Sequence, residues 1–387
     1  MKRALILSAT VMFILSGCRE NKQSNDELIT VDVTKSYPKK ELILQDFMDV
    51  EYVPLEATDE FITMGWLHAV GKDIIVVRNR NRNSDGDIFI FDRNGKGLKK
   101  INRQGPGAEE YQFLLGITLD EENGELLVND RNTQKIFVYD MNGNYKRNFS
   151  QQEGYMYDLG MYNFDREHLI CRNFSMFGSR NDFFLVSKLD GSIAREVEIP
   201  YKEKISTAVW APDSTAVMPV RNRTLVPHAN GWMLMEASSD TVYSYSTGHS
   251  LTPLIVRTPS IRSMTTGVFL YPALLTDRYC FMQTVEAKWD WETDTGHTRI
   301  DFMYDRQENV PYEYVVYNGD YTNKQPVSMT SEVTFGNNEI GLVQTLQAFD
   351  LVEAYEKGQL KDGKLKEIAA TLDEEDNPVI MLMKYKK

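Results

Sequence analysis

The stretch IFIFDRNG, residues 88–95, returns as IFVYDMNG at 136–143 and as FLVSKLDG at 184–191. The final glycines of the three stretches are 48 residues apart in both intervals. A period of roughly 40 to 50 residues is typical of β-propellers, in which every repeat is one small antiparallel sheet, or blade. Short apolar runs precede and follow each stretch, so each period is expected to hold three or four strands.

The Asn-Gly and Asp-Gly steps at the ends of these stretches predict hairpin turns. Such turns need a positive φ, which glycine adopts without a steric penalty. A calcium-binding loop is the alternative for DRNGKG (92–97) and DMNGNY (140–145). The glutamate that closes an EF-type loop is missing at the required distance, so the turn is the favoured interpretation.

Further strand-like runs from Gly231 to Asn318 supply a fourth and a fifth unit. A sixth unit needs EIGLVQTLQ (339–347) and PVIMLMKYK (378–386), with the early segment VEYVPLE (50–56) as its closing strand. Only residues 348–372 show a sustained helical pattern. We therefore predict an all-β, six-bladed propeller over residues 29–387, with an N-terminal strand closing the last blade and a short helical insertion near the C-terminus.

The first residues indicate export. Lys2 and Arg3 precede the apolar run 4–15, which is shorter than the roughly 20 residues of a membrane span. Leu-Ser-Gly-Cys, ending at Cys18, resembles the lipobox, in which the cysteine is lipidated and becomes the mature N-terminus. We expect a signal peptide at 1–17, a polar tether at 18–28 and an outer-membrane lipoprotein, since Arg19 replaces an aspartate that favours inner-membrane retention. The chain would face the periplasm or the cell surface.

Composition limits the partners. A formal net charge of −13 repels phosphate backbones, so nucleic acid is not expected as a partner. Cys171 and Cys280 lie in apolar runs and are expected to be buried free thiols. We expect a monomer. The histidines show no metal-ligand spacing; they are His68, His168, His228, His249 and His297.

The segment INRQGPGAEEY (101–111) poses a separate question, because its glycines suit either a phosphate-binding loop or a crossover between blades. No lysine follows the glycines as a P-loop requires, so the crossover is favoured. This crossover is expected to carry Arg103, Glu109, Glu110 and Tyr111 to one face near the central channel, as candidate ligand-binding residues. The alternative is an ion pair of Arg103 with one of the glutamates that fastens adjacent blades.

A second candidate site is AKWDWETDTGH (287–297). In a strand, Trp289 and Trp291 point to the same side, and tryptophan rings stack well on sugars. The Asp-Thr-Gly step beside them predicts a hairpin tip. Tryptophans also fill the space between blades, so carbohydrate contact and packing both remain open.

The order of these segments, with the Gly-Pro-Gly-acidic-Tyr crossover and the ending EEDNPVIMLMKYK (374–386), resembles the six-bladed β-propeller lipoproteins of Bacteroidetes, relatives of NHL-repeat propellers. The inserted Ala108 and a second glutamate depart from that family's usual loop. The resemblance implies a fold and a cell-envelope location but no defined activity. We expect a module that binds a glycan, peptide or protein rather than an enzyme; an NHL-type hydrolase or lyase with an axial calcium ion is the alternative. No other cofactor is expected.

Overall fold

The structure is a computed structural model that describes residues 28–79, 85–155, 157–173, 182–220, 222–228, 231–330, 334–335 and 339–386. The predicted signal peptide, Cys18 and all of the tether except Leu28 lie outside the described residues, so those predictions stay predictions.

Short strands make up most of the described chain. Their bounds are β1 Ile29–Asp32, β2 Lys39–Ile43, β3 Met48–Pro54, β4 Trp66–Val70, β5 Ile74–Arg78, β6 Asp87–Asp92, β7 Gly97–Asn102, β8 Leu114–Asp120, β9 Glu125–Asp130, β10 Lys135–Asp140, β11 Tyr145–Ser150, β12 Tyr157–Asn163, β13 His168–Asn173, β14 Phe183–Ser187, β15 Ile193–Val197, β16 Ala208–Trp210, β17 Val217–Pro219, β18 Leu225–His228, β19 Gly231–Met235, β20 Thr241–Ser246, β21 Leu251–Thr258, β22 Val268–Leu275, β23 Tyr279–Glu286, β24 Trp289–Asp290, β25 Thr295–Gly296, β26 Arg299–Asp305, β27 Val310–Tyr317, β28 Pro326–Val327, β29 Thr334–Phe335, β30 Ile340–Leu346 and β31 Val379–Tyr385.

These strands form six blades, as the 48-residue period predicts. Blades one, two and three are β4–β7, β8–β11 and β12–β15 in chain order, and β29 pairs with the inner strand of blade one. Blade four is β18–β21, blade five is β22, β23, β26 and β27, and blade six is β30, β31 and β3. The predicted all-β, six-bladed propeller is confirmed.

The buried middle strands explain why the sequence reads as apolar runs rather than as alternating patterns. Both faces of a blade pack against neighbouring blades, so β9 is buried at every position. The outer strand β7 has one solvated face and alternates between buried and exposed residues. The hydrophobic core therefore lies mainly in the seams between blades.

The N-terminal strands hold three consecutive blades together. β1 pairs in parallel with the outer strand of blade four, and β2 does the same on blade five. β3 pairs antiparallel with β31 over its whole length, so blade six is built from both ends of the described chain. The predicted closing strand is confirmed, whereas the placement of β1 and β2 was not anticipated.

The Asp-Asn-Pro sequence before β31 fastens this closing blade to blade one. Asn377 is 2% exposed and accepts a hydrogen bond from the Thr63 N–H at 2.8 Å. Its side-chain NH₂ donates to the carbonyl oxygens of Glu56 and Phe61, at 2.7 and 2.5 Å. One buried amide thus satisfies three backbone groups of the segment that leads into blade one.

The helices are few and short in the described residues. They are α1 Leu44–Phe47, α2 Ala348–Glu356, α3 Lys364–Ala369 and the 3-10 helix Ile261–Ser263. α2 and α3 form the predicted insertion, between β30 and β31, and bury Leu351 and Leu365 against the seam of blades five and six. None of the described helices has the length and apolar character needed to span a bilayer.

The repeated turn glycines have the backbone that the sequence requires. Gly95, Gly143 and Gly191 have φ angles of 88°, 79° and 76°. At Gly95 a side chain would also overlap the carbonyl oxygen of Pro54 in the closing strand β3. In the turn before it, Asp92 Oδ1 accepts the N–H groups of Asn94 and Lys96, at 2.8 and 2.9 Å, as in a carboxylate-capped hairpin turn.

Candidate functional site on the crossover face

The alternating strand directions give the propeller two faces. One face carries the connections from the second to the third strand of each blade and the crossovers from an outer strand to the next inner strand; we call it the crossover face. Both predicted ligand-binding segments belong to it, since 103–113 joins β7 to β8 and 287–298 joins β23 to β26.

Tyr111 lies inside the protein rather than on this face. It is 0% exposed, and its hydroxyl donates to the Gly86 carbonyl at 2.5 Å and accepts from the Arg103 N–H at 3.1 Å. Burial raises the pKa of Tyr111 well above its ordinary value. Its ring packs edge-on against Tyr139, with 6.0 Å between centroids. These contacts make Tyr111 an anchor between blades one and two.

The other residues of the crossover pack against the outer strands of blade two instead of converging on the channel. Arg103 Nε donates to the Gly143 carbonyl at 2.7 Å, and the Tyr139 hydroxyl donates to the Glu109 carbonyl at 2.8 Å. The physical reason is that β7 ends at the outer edge of its blade, so the chain must first cross blade two. Ligand binding by Arg103 and Glu109, both exposed, stays a prediction.

The two glycines of this crossover make room for a carboxylate. Glu110 Oε2 accepts the Gly107 N–H at 2.9 Å, and a side chain at Gly105 would overlap the same carboxylate. Neither glycine needs a positive φ, so close approach explains the motif. Among the described residues no ion pair joins Arg103 to Glu109 or Glu110. Hydrogen bonds fasten this crossover to blade two instead.

Trp289 and Trp291 lie on a small hairpin, β24–β25, at the crossover end of blade five. Both side chains are half-buried, and their ring centroids are 6.3 Å apart at an interplanar angle of 56°. His297, at 9% exposure, packs its ring 5.1 Å from that of Trp289. The structure therefore brings the two predicted tryptophans together and adds a histidine. Carbohydrate contact is not tested by this arrangement.

A pair of acids that the sequence analysis missed lies on the same face. Lys204, in the crossover from blade three to blade four, donates to Asp182 Oδ1 at 2.7 Å and to Glu236 Oε2 at 2.8 Å. Asp182 precedes β14 of blade three and Glu236 follows β19 of blade four. The side chains of Asp182, Lys204 and Glu236 are 26%, 44% and 2% exposed. We call these three residues the acid pair with its lysine.

The two carboxyl groups lie close together in one partly buried environment, and their pKa values therefore move apart. Burial, and then the hydrogen bond with Glu236, raise the pKa of Asp182 to about 7. Burial also opposes the ionisation of Glu236, but its hydrogen bond with Asp182 and the charge of Lys204 outweigh burial and lower its pKa to about 2. The Ser238 N–H adds a hydrogen bond to Glu236 at 3.0 Å. Below neutral pH the pair therefore holds one proton, on Asp182, while Glu236 is ionised; near pH 7 that proton is about half dissociated.

Basic and amide side chains from blade five and from the segment that enters blade four lie near the same face. Gln283 Oε1 accepts from Asn222 Nδ2 and from Arg299 Nη1, both at 2.8 Å. Burial raises the pKa of Tyr271 to about 12, and the charges of Arg172 and Arg299 oppose that rise. Blades three to five thus present mixed charges at the crossover face, whereas their seams are apolar.

No local sequence signal identifies the acid pair. Asp182 and Glu236 are 54 positions apart, and each is an ordinary acid beside a strand. Only Glu236, directly after the buried run Trp232–Met235, carried a hint, since a charge that ends a buried second strand lies at the face of a propeller. A cavity of about 610 Å³ lies elsewhere, between blades one and two on the opposite face, and is lined in part by Lys72, Leu98 and Glu121.

Within the described ranges, no group of three or more His, Cys, Asp or Glu side chains is arranged to hold a metal ion. The axial calcium ion of the alternative function therefore stays a prediction. Cys171 and Cys280 are free and fully buried, as predicted.

Comparison with known proteins assigns the chain to a family. The family model described as a domain of unknown function, DUF4934, matches residues 28–384, which is nearly the whole described propeller. The chain belongs to this family. No curated protein sequence matches it. The family description names a domain and no activity, so any function must be argued from the site.

Solved structures show the same fold. The crystal structure of a Bacteroides fragilis protein, presumed to be exported, has a TM-score of 0.59 at 15% identity and covers 93% of this chain and 100% of that chain. A member of the DUF4221 family from Bacteroides vulgatus has a TM-score of 0.40 at 10% identity, covering 88% of this chain and 98% of that chain. The first likeness shows the propeller fold alone, and the second is too loose to argue from.

Proposed function

We propose that this protein is a cell-envelope lipoprotein whose crossover face binds a glycan, peptide or protein partner. The observation that carries the proposal is the acid pair with its lysine, in which three segments from different parts of the chain place a buried glutamate, a partly exposed aspartate and a lysine together. Binding residues concentrate on loops that a rigid scaffold holds. The lipid anchor at Cys18, the outer membrane and the relation to NHL propellers belong to the same proposal; the exported B. fragilis neighbour is consistent with it.

The acid pair suits a partner that carries cationic or polar groups. Lys204 lies on a crossover and is 44% exposed, so its ammonium group can turn away, and a ligand ammonium or hydroxyl can then reach the two carboxyl groups. Because Glu236 is almost fully buried, a charge-assisted hydrogen bond to it is less screened than one at the surface.

The binding function is tested with the purified mature chain on a glycan array and on a library of cationic peptides. Wild type is compared with Glu236→Gln, which keeps the shape and removes the charge. The matched control is Glu122→Gln, an exposed acid on the opposite face. We expect Glu236→Gln to weaken binding at least tenfold and the control to bind like wild type. Binding that is equal in all three proteins would remove the acid pair from the site.

The separated protonation states of Asp182 and Glu236 also favour a second candidate function. A carboxylic acid beside a carboxylate can serve as general acid and general base, as in hydrolases and lyases. Elemental analysis and activity assays of the purified protein separate the binding function from the two enzymatic candidates. Stoichiometric calcium that is lost only on unfolding would favour the NHL-type enzyme with an axial ion, and hydrolysis or elimination that Asp182→Asn abolishes would favour chemistry at the acid pair.

A further inference from the structure

The hairpin β24–β25 of blade five is built around an indole ring that lies across it. Trp289 pairs with Gly296, where a side chain would come within 2.7 Å of the Trp289 Cα and 3.1 Å of its Cε3. The following residue, His297, has a φ of 55°, in the left-handed region that is unfavourable for a residue other than glycine. The hairpin backbone therefore holds the Trp289 ring in place at the expense of an unfavourable φ at His297.

This placement leaves two complementary polar atoms without partners. His297 Nδ1 lies 3.2 Å from the Glu286 carbonyl, which can only accept, so Nδ1 carries the hydrogen and Nε2 of the neutral ring is an acceptor. Neither His297 Nε2 nor Trp289 Nε1 has a hydrogen-bond partner in the described part of the chain, and both are buried. An unsatisfied buried polar group is destabilising, so a ligand that satisfies both atoms gains binding free energy from them.

A hydroxyl group has the chemistry to satisfy both atoms, because it can accept from an indole N–H and donate to an imidazole nitrogen, and the two rings lie 5.1 Å apart. Carbohydrates supply such hydroxyls next to C–H faces that pack on aromatic rings. Trp291 is half-buried and close to Trp289, and the tip residues 292–295 are exposed, so an extended ligand has room beside the rings. Since both nitrogens are covered, the hydroxyl reaches them after a side-chain rotation within the hairpin.

We propose that the blade-five hairpin is a carbohydrate-binding site in which Trp289 and His297 bind one sugar hydroxyl and Trp291 stacks on the ring. This inference rests on the proposed binding function and names the ligand class of the crossover face. It also assigns a role to His297, for which the sequence shows only that metal-ligand spacing is absent.

The test measures binding of defined oligosaccharides to the mature chain by calorimetry, with cello-, malto-, chito- and mannotetraose as probes. Trp291→Ala removes the stacking ring from an exposed tip, and Trp289→Phe keeps the ring but removes the N–H. Trp210→Ala, a 51% exposed tryptophan of the separate hairpin β16–β17, is the matched control. We expect a loss of at least tenfold in affinity for Trp291→Ala, about fivefold for Trp289→Phe and none for the control.

The outcomes separate this inference from the proposed function. If no tetraose binds wild type, or if Trp291→Ala and Trp289→Phe bind as tightly as wild type, the hairpin is not a sugar site. If a partner still binds and Glu236→Gln weakens it, the proposed function stands without the hairpin. Wild type that binds neither glycan nor peptide overturns both.

Discussion

Replacing Asp182 by asparagine should remove a pH dependence from the stability of the propeller. Folding raises the pKa of Asp182 from 3.8 to about 7, so the folded protein keeps a proton that the unfolded chain releases. The stability from this group is complete below about pH 4 and is lost as the pH rises to about 7. The lowered pKa of Glu236 acts in the opposite direction but only below about pH 5, so it does not affect the window from pH 5 to 8.

The size of the effect follows from the shift. One pH unit corresponds to about 1.4 kcal/mol, so wild type would lose at most about 2.7 kcal/mol of unfolding free energy between pH 5 and pH 7. The Asp182 side chain is 26% exposed and Lys204 is 44% exposed, and solvent screening reduces that figure. We expect a measured loss of about 1–2 kcal/mol. Asparagine imitates the protonated acid and should be nearly flat over the same range.

The assay is guanidinium unfolding followed by tryptophan fluorescence at half-unit steps from pH 5 to 8. The quantity of interest is the difference between wild type and Asp182→Asn, because other titrating groups cancel in it. The same pH series on Lys204→Met provides a second comparison with wild type. Without the lysine charge the pKa of Asp182 rises further, and the loss of stability moves to higher pH. A difference curve that is flat from pH 5 to 8 would refute the shared proton and the reasoning built on it.

Three further predictions concern the fold and the anchor. Gly95→Ala should lower the free energy of unfolding by at least about 2 kcal/mol in a thermal unfolding experiment, because it combines a positive φ with overlap on Pro54. The control Gly124→Ala, with a φ of 64° and open space around it, should cost only about 1 kcal/mol. Equal losses in the two variants would argue against the contact with the closing strand. Tyr111→Ala should lower the free energy of unfolding by about 3–5 kcal/mol, as for other buried aromatic residues. An unchanged melting temperature would contradict the buried position of Tyr111. Cys18→Ala should abolish metabolic labelling with palmitate, and label that persists in the mutant would end the lipoprotein proposal.

The sequence by itself determined the blade number and the closure of the ring. The blades depend on local signals, since most strands of a blade pair with sequence neighbours and the turns between them need glycine at fixed intervals. The 48-residue spacing of Gly95, Gly143 and Gly191 predicted three blades, and the remaining strand-like runs predicted the other three. The unpaired strand-like segment before blade one had to join the last blade, because an open sheet edge is unfavourable.

Only the tertiary structure decided which polar residues meet. Asp182, Lys204 and Glu236 come from two blades and the crossover between them, and apart from the buried run before Glu236 nothing in their local sequence separates them from solvated charges. Local sequence likewise did not reveal the buried position of Tyr111, which the sequence analysis assigned to the channel face. Its path depends on the outward position at which β7 ends, and that position is set by the twist and packing of whole blades. Contacts between side chains distant in sequence follow from this packing, whereas the strands that carry them follow from the local pattern.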